Sequence, residues 1–142
     1  MTAAPPPAAG ALASMHPAYF AMVMATGIVS LAAWALGLSA IATVLFVLNL
    51  VFAAVMVLLT VLRAVWYPRE MAADLVHHGR AVGFLTSVAA TSVVGSQLLI
   101  IGGARTSATV LWYVAIALWA VLTYSILTIL TVKGGKPSLA EG

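Results

Sequence analysis

The sequence predicts an all-α integral membrane protein whose four transmembrane helices form two repeated helical hairpins, and three observations carry that prediction. Of its 142 residues, 64% are apolar and only 6% are charged, too few to give a folded domain a surface that water tolerates. The charged residues fall between four uncharged stretches, each long enough to cross the hydrocarbon core of a bilayer. None of these stretches alternates as a barrel strand does. Backbone groups inside lipid must be satisfied within their own segment, so the stretches are helices.

Taken in order, residues 1–17 carry Pro5-Pro6-Pro7 and many alanines without the basic region of a signal peptide, and read as a disordered cytoplasmic tail. The transmembrane domain follows over residues 18–132. Its first stretch runs from Ala18 to Leu38, about 31 Å of helix at about 1.5 Å per residue. Gly37-Leu38-Ser39 makes a tight turn into the second, Ala40 to Leu62. The long joint from Arg63 to Arg80 holds five of the nine charged residues. Within it Pro68 suits a first helical turn and Gly79 a helix end, which predicts a short interfacial helix with Met71 and Leu75 toward the membrane. The third stretch is Ala81 to Ile101, and a second turn, Gly102 to Ser107, leads to the fourth, Val110 to Val132. Residues 133–142 read as a cytoplasmic tail or a linker toward further helices.

Orientation follows from the basic residues. Arg63, Arg69, Arg80, Lys133 and Lys136 lie on the side shared by both termini, and Arg105 alone lies on the other. The positive-inside rule then places both termini in the cytoplasm. Tyr19, Trp66 and Tyr67 fall at the inner interface and Trp34, Trp112 and Tyr113 at the outer one, where aromatic belts sit. The formal charge of +3 is too thinly spread for a nucleic-acid surface. The absence of cysteine excludes disulfides, thiolate catalysis and cysteine-based metal sites.

The four helices fall into two kinds. The first and third stretches carry glycines and the second and fourth carry none. At about 100° per residue, Thr26, Gly27, Ser30, Trp34 and Gly37 share one face of the first, and Ser87, Thr91, Ser92, Gly95 and Ser96 share one half of the third. The second is almost wholly aliphatic apart from Asn49. The first and third are therefore expected to face a protein interior or an aqueous path, and the second to face lipid. Tyr124, Thr128 and Thr131 give the fourth a partly polar side. Small and hydroxylated faces also let membrane helices pack closely, and the pattern alone leaves both readings open. A faint repeat supports the hairpin as the unit: laying Tyr19–Gly37 over Phe84–Gly102, a shift of 65 residues, aligns Val23, Ala25, Thr26, Val29 and Gly37 with identical residues.

No Asp, Glu, Lys, Arg or His lies inside the four stretches, which disfavours carriers that bind a driving proton or sodium ion on a membrane carboxylate. A wall of Ser, Thr, Gly and backbone dipoles would offer donors to an anion without holding it tightly, as permeation requires. Asp74, His77 and His78 have the spacing of one helical face but read as hydrated groups at a helix end rather than a metal site. Asn49 and Gln97 are expected to bridge helices, and His16 to mark a helix start. No nucleophile–base grouping or phosphate loop is present, so neither an enzyme nor a cofactor is expected.

Two segments carry a resemblance. His16-Pro17-Ala18-Tyr19-Phe20-Ala21-Met22-Val23-Met24-Ala25-Thr26-Gly27-Ile28-Val29-Ser30 resembles the opening helix of the tellurite-resistance/dicarboxylate transporter family, which includes fungal malate and sulfite transporters and plant slow-type anion channels. Asp74 to Thr86, followed by Ala90-Thr91-Ser92-Val93-Val94-Gly95-Ser96-Gln97-Leu98, resembles its third helix and the approach to it. The resemblance implies ten helices in five hairpins, odd-numbered helices around a pore, homotrimers with one pore per subunit, and passage of small or organic-acid anions. It also implies pore-wall roles for Thr26, Gly27, Ser30, Ser87, Thr91 and Gly95. Against that pattern the chain is expected to be an N-terminal part, since two hairpins do not enclose a five-hairpin pore. The rival expectation is a small four-helix membrane scaffold or accessory subunit with no substrate path.

Overall fold

The computed structural model describes residues 13–76 and 78–132. Residues 1–12 of the expected N-terminal tail, His77 and the expected C-terminal tail from residue 133 lie outside the described residues. The chain enters through a 3-10 turn, Pro17–Tyr19, into α1 (Phe20–Ala35). There follow α2 (Ser39–Trp66), α3 (Pro68–Val76) and the single turn α4 (His78–Ala81). A 3-10 turn, Val82–Phe84, leads on into α5 (Leu85–Ile100), and α6 (Arg105–Val132) completes the order. Four segments are long and apolar enough to cross a membrane: Pro17–Ala35, Ser39–Trp66, Val82–Ile100 and Arg105–Ile129. The protein is an all-helical integral membrane protein, with no strand among the described residues.

Local chemistry explains where the helices stop. α1 ends at Ala35, short of Leu38, because Gly37 takes φ 78°, a left-handed conformation that glycine adopts without a Cβ penalty. Gly37 N then donates to Trp34 O at 3.0 Å and Leu38 N to Ala33 O at 2.9 Å, the bond pair that satisfies the last carbonyls of a helix. α2 passes Leu62 and carries Arg63 inside its last turns before Pro68, which has no N–H to continue it, starts α3. α6 starts at Arg105 rather than Val110, two residues after Gly103 with φ 64°.

Packing arranges the long helices in the order α2, α1, α5, α6, with α1 against both α2 and α5, and α6 against α5. The spans of α1 and α5 are 28% and 33% buried, against 17% for α2 and 11% for α6. The glycine-bearing helices are therefore the inner pair, and each is followed by its own outer helix. Phe20, Val23, Met56, Ala90 and Val94 form the core, with Met15, Leu50, Phe52, Ala53, Leu98 and Leu111 packed against it. Outward-facing Val44, Val51, Val55, Leu58, Val110 and Trp112 are more than half exposed or nearly so and present the apolar surface that lipid covers.

Polar bonds tie this bundle at separate depths. Ser30 Oγ donates to Ala42 O at 2.8 Å across the α1–α2 hairpin. Asn49 Nδ2 donates to Gln97 Oε1 at 2.6 Å, joining α2 to α5 as the sequence suggested. Both amides are fully buried. Gly27 lies beside them, and a Cβ there would collide with Val93 Cγ1 and stand 2.7 Å from Asn49 Nδ2 and 3.2 Å from Gln97 Oε1. Its missing side chain is what lets three helices meet at that level.

The expectation of disorder through residue 17 fails for residues 13–17. His16 Nδ1 accepts from Ala18 N at 3.1 Å, Pro17 is buried at the first helical position, and Met15 packs on the core. Met71 also departs from expectation. It lines a cavity inside the bundle rather than turning to the membrane.

Candidate functional site

The residues that could line a path lie on the sides of α1 and α5 not occupied by neighbouring helices. On α1 the buried set Phe20, Val23, Gly27 and Ser30 faces α2 and α5. At about 100° per residue the opposite side carries Met22, Ala25, Val29 and Ala32, all exposed. On α5, Ala90, Val94 and Gln97 are buried, while Ser92 and Ser96 are exposed on the side turned from Gln97 and hence from α2. The unoccupied sides of the two inner helices lie next to each other. Together they carry apolar residues from α1 and hydroxyls from α5.

The six residues expected on a pore wall do not gather on that surface. Gly27 and Ser30 are buried at the seams of α1 with α2 and α5. Gly95 is buried against α6, where an added Cβ would lie 3.5 Å from Leu111 Cβ and 3.7 Å from Ala108 O. Ser87 and Thr91 look into a cavity of 180 Å³ on the far side of α5, shared with α2 and α6. Thr26, half-buried, borders the unoccupied side of α1. The third-stretch half-cylinder read from the sequence spans both sides of α5, and periodicity alone does not say which edge a neighbour covers.

Every hydroxyl on α5 is already engaged as a donor. Ser87 Oγ donates to Phe84 O at 2.6 Å, Thr91 Oγ1 to Ser87 O at 2.7 Å, Ser92 Oγ to Val88 O at 3.1 Å and Ser96 Oγ to Ser92 O at 3.0 Å. Such bonds back to the preceding turn leave the oxygen lone pairs outward. To meet an anion, a hydroxyl proton must rotate away from its carbonyl, which a hydroxyl rotor permits. Toward the Arg105 end, Ser92 and Ser96 also line an open groove of 510 Å³ with Arg105, Thr109 and Trp112 of α6.

At the opposite end, three charged residues form a cluster that sequence reasoning missed. Arg63, counted in the sequence only toward orientation, is 2% exposed. Its Nη2 meets Asp74 Oδ2 at 2.6 Å and also donates to Ala13 O at 2.9 Å. Arg80 Nη1 meets Asp74 Oδ1 at 3.1 Å, and its Nη2 donates to Ser14 O at 3.0 Å. One carboxylate thus joins α2, α3 and the approach to α5, and the two guanidiniums hold the N-terminal segment over them. The available signal was the near-helical spacing of Arg63 and Asp74 around the Pro68 corner, which lets two consecutive helices fold their charges together. Asp74 is therefore an ion-pair partner. No group of metal-ligating side chains gathers among the described residues.

No curated protein and no solved structure matches the chain. Over residues 14–135, which include all four membrane helices, the sequence matches the SLAC1 family, described as voltage-dependent anion channel. This span takes in Ser14 and Met15, held by Arg80, as well as both hairpins. The chain therefore belongs to the voltage-dependent anion channel family, a family of membrane channels and transporters rather than enzymes.

Proposed function

We propose that the unoccupied sides of α1 and α5 form one wall of a path for small or organic-acid anions, with α2 behind this wall and α6 flanking it along the groove of Ser92 and Ser96. The observation that carries the reading is the asymmetry of α5. Its exposed side away from α2 bears Ser92 and Ser96 and no charge of its own, the lining that lets an anion pass without trapping it, while Arg105 of α6 stands at one end of the same groove. In this reading Thr26 borders the wall, while Gly27, Ser30 and Gly95 set the helix spacing that gives it its shape. Ser87 and Thr91 act from behind α5. Cargo of the dicarboxylate or tellurite-resistance type, assembly into homotrimers with a path in each subunit, and termini in the cytoplasm belong to the same proposal, supported by the family match and the charge distribution. In the family's five-hairpin arrangement these helices correspond to the first two hairpins.

The test is anion efflux from liposomes containing the protein that carries this sequence, with nitrate, chloride and malate as cargo. The double substitution Ser92→Phe/Ser96→Phe is expected to reduce flux by about tenfold or more, by obstructing the wall, and Thr60→Val on α2 to leave it unchanged. Equal flux in both variants would remove Ser92 and Ser96 from the path. If no variant, nor the parent, passes any anion, the scaffold reading gains the ground. Because the chain has no cysteine, single cysteines at Ala72 and Thr106 report orientation. Labelling of Ala72→Cys only from the cytoplasmic side is expected.

A further inference from the structure

The cavity behind α5 has a mostly apolar body and one spare donor in its wall. Its 180 Å³ lie among Met15, Phe20, Met71, Phe84 and Leu118, with Arg63 in the wall. The three hydroxyls in the same wall are engaged: Thr60 Oγ1 donates to Met56 O at 2.7 Å, and Ser87 and Thr91 donate to carbonyls of their own helix. Arg63 Nε is buried without a hydrogen-bond partner, and so is the neighbouring Arg80 Nε. Two guanidiniums share the single carboxylate of Asp74, so this cluster carries a net charge of +1, with Arg80 29% exposed to solvent and Arg63 buried next to an apolar chamber. A buried charge without a full partner is costly, and an anion that brings its own apolar tail would relieve it.

We propose that this cavity binds a long-chain carboxylate, with its head on the Arg63 side of the ion cluster and its tail between α2 and α6. A planar carboxylate suits a guanidinium edge. At roughly 30 Å³ per water-sized element, the chamber takes a narrow single tail, whose remainder extends between the outer helices into the lipid. A two-tailed phospholipid headgroup is too bulky for that space. This site lies on the opposite side of α5 from the proposed path and does not depend on transport. Its test reads binding, not flux.

The experiment measures equilibrium binding of radiolabelled oleate to the full chain in phosphatidylcholine nanodiscs. One saturable oleate per chain is expected, with methyl oleate, which lacks the charge, competing about tenfold less well or worse. Leu118→Trp, which fills the chamber without touching the ion cluster, is expected to weaken oleate by a similar factor, and Arg63→Gln to do so where that variant folds. Binding no greater than in empty nanodiscs, or equal competition by methyl oleate, overturns the proposal. So does unchanged binding by Leu118→Trp. Displacement of oleate by phosphatidylglycerol at equal mole fraction would assign the site to a phospholipid and likewise overturn it.

Discussion

Gly27→Ala is the smallest change expected to have a large effect on this bundle. The added methyl would overlap Val93 Cγ1 on α5 and stand 2.7 Å from Asn49 Nδ2 and 3.2 Å from Gln97 Oε1. None of the three yields freely. Val93 is β-branched and holds one favoured helical rotamer, while Asn49 and Gln97 are fixed to each other by their 2.6 Å bond. Relief requires either α1 to move off α5 or the buried amide pair to separate. Overpacking costs about 1–3 kcal/mol, and a side-chain bond between membrane helices contributes about 0.6 kcal/mol on average and about 1.7 at most. The sum is a loss of about 2–4 kcal/mol. Equilibrium unfolding in mixed SDS micelles measures it, and Val93→Ala added to Gly27→Ala should restore most of the loss through coupling at the shared contact. A change below about 0.5 kcal/mol, the scale of an unremarkable surface substitution, would show that α1 and α5 do not meet at Gly27 as described.

Three further outcomes follow from particular contacts and can be read in the same unfolding assay. Asn49→Leu strands the buried Gln97 amide and should cost about 1–2 kcal/mol, whereas Asn49→Leu with Gln97→Leu should return toward the parent because neither polar group is then left alone. Asp74→Asn leaves Arg63 and Arg80 facing each other and should cost about 3 kcal/mol, the lower end for breaking a buried pair, since the Arg80 side chain is 29% exposed. Gly37→Ala meets no atom within 4 Å, so its cost, about 1–2 kcal/mol, comes from the left-handed backbone alone.

How much of this was legible in the sequence depended on the range of the physics involved. Hydropathy marked all four helices because the bilayer imposes a length and a polarity that a local window detects. Glycine placement marked α1 and α5 as the inner pair because close helix approach needs small residues. The same small-residue code serves packing and lining alike, which is why Gly27, Ser30 and Gly95, read as wall positions, turn out to sit at seams between helices. The side of α5 that bears Ser92 and Ser96 could be assigned only once Gln97 was seen to reach Asn49 on α2. Arg63 shows the limit in another form. As a charge at the end of an apolar stretch it counts toward orientation, and nothing local distinguishes it from Arg69, which is exposed. Its burial follows from α2 continuing past Leu62 and from α3 folding Asp74 back over it.

The bonds between helices are unevenly shared, and this gives α6 a different character from the rest. Ser30 ties α1 to α2, Asn49 ties α2 to α5, and Arg63 ties α2 to α3 and to the N-terminal segment. The side-chain bonds found on α6 stay within it: Thr109 Oγ1 donates to Arg105 O and Thr131 Oγ1 to Leu127 O. Its attachment to α5 is a seam of small groups, Gly95 against Ala108 and Leu111, with Ala108 and Ala115 only 8% and 4% exposed. Where lipid tails are as apolar as the helix surface, such a seam relies on van der Waals contact alone. The α6 amides are therefore expected to exchange hydrogen for deuterium before those in the middle of α1, α2 and α5, as local opening follows the least-bonded element. Ala115→Phe should widen that gap by lifting α6 from α5, while leaving the exchange of α1 and α2 near that of the parent. Mass spectrometry of peptides from the protein in nanodiscs resolves the helices separately. Protection of α6 equal to that of α1 would mean that polar bonds do not decide which helices of this bundle hold together.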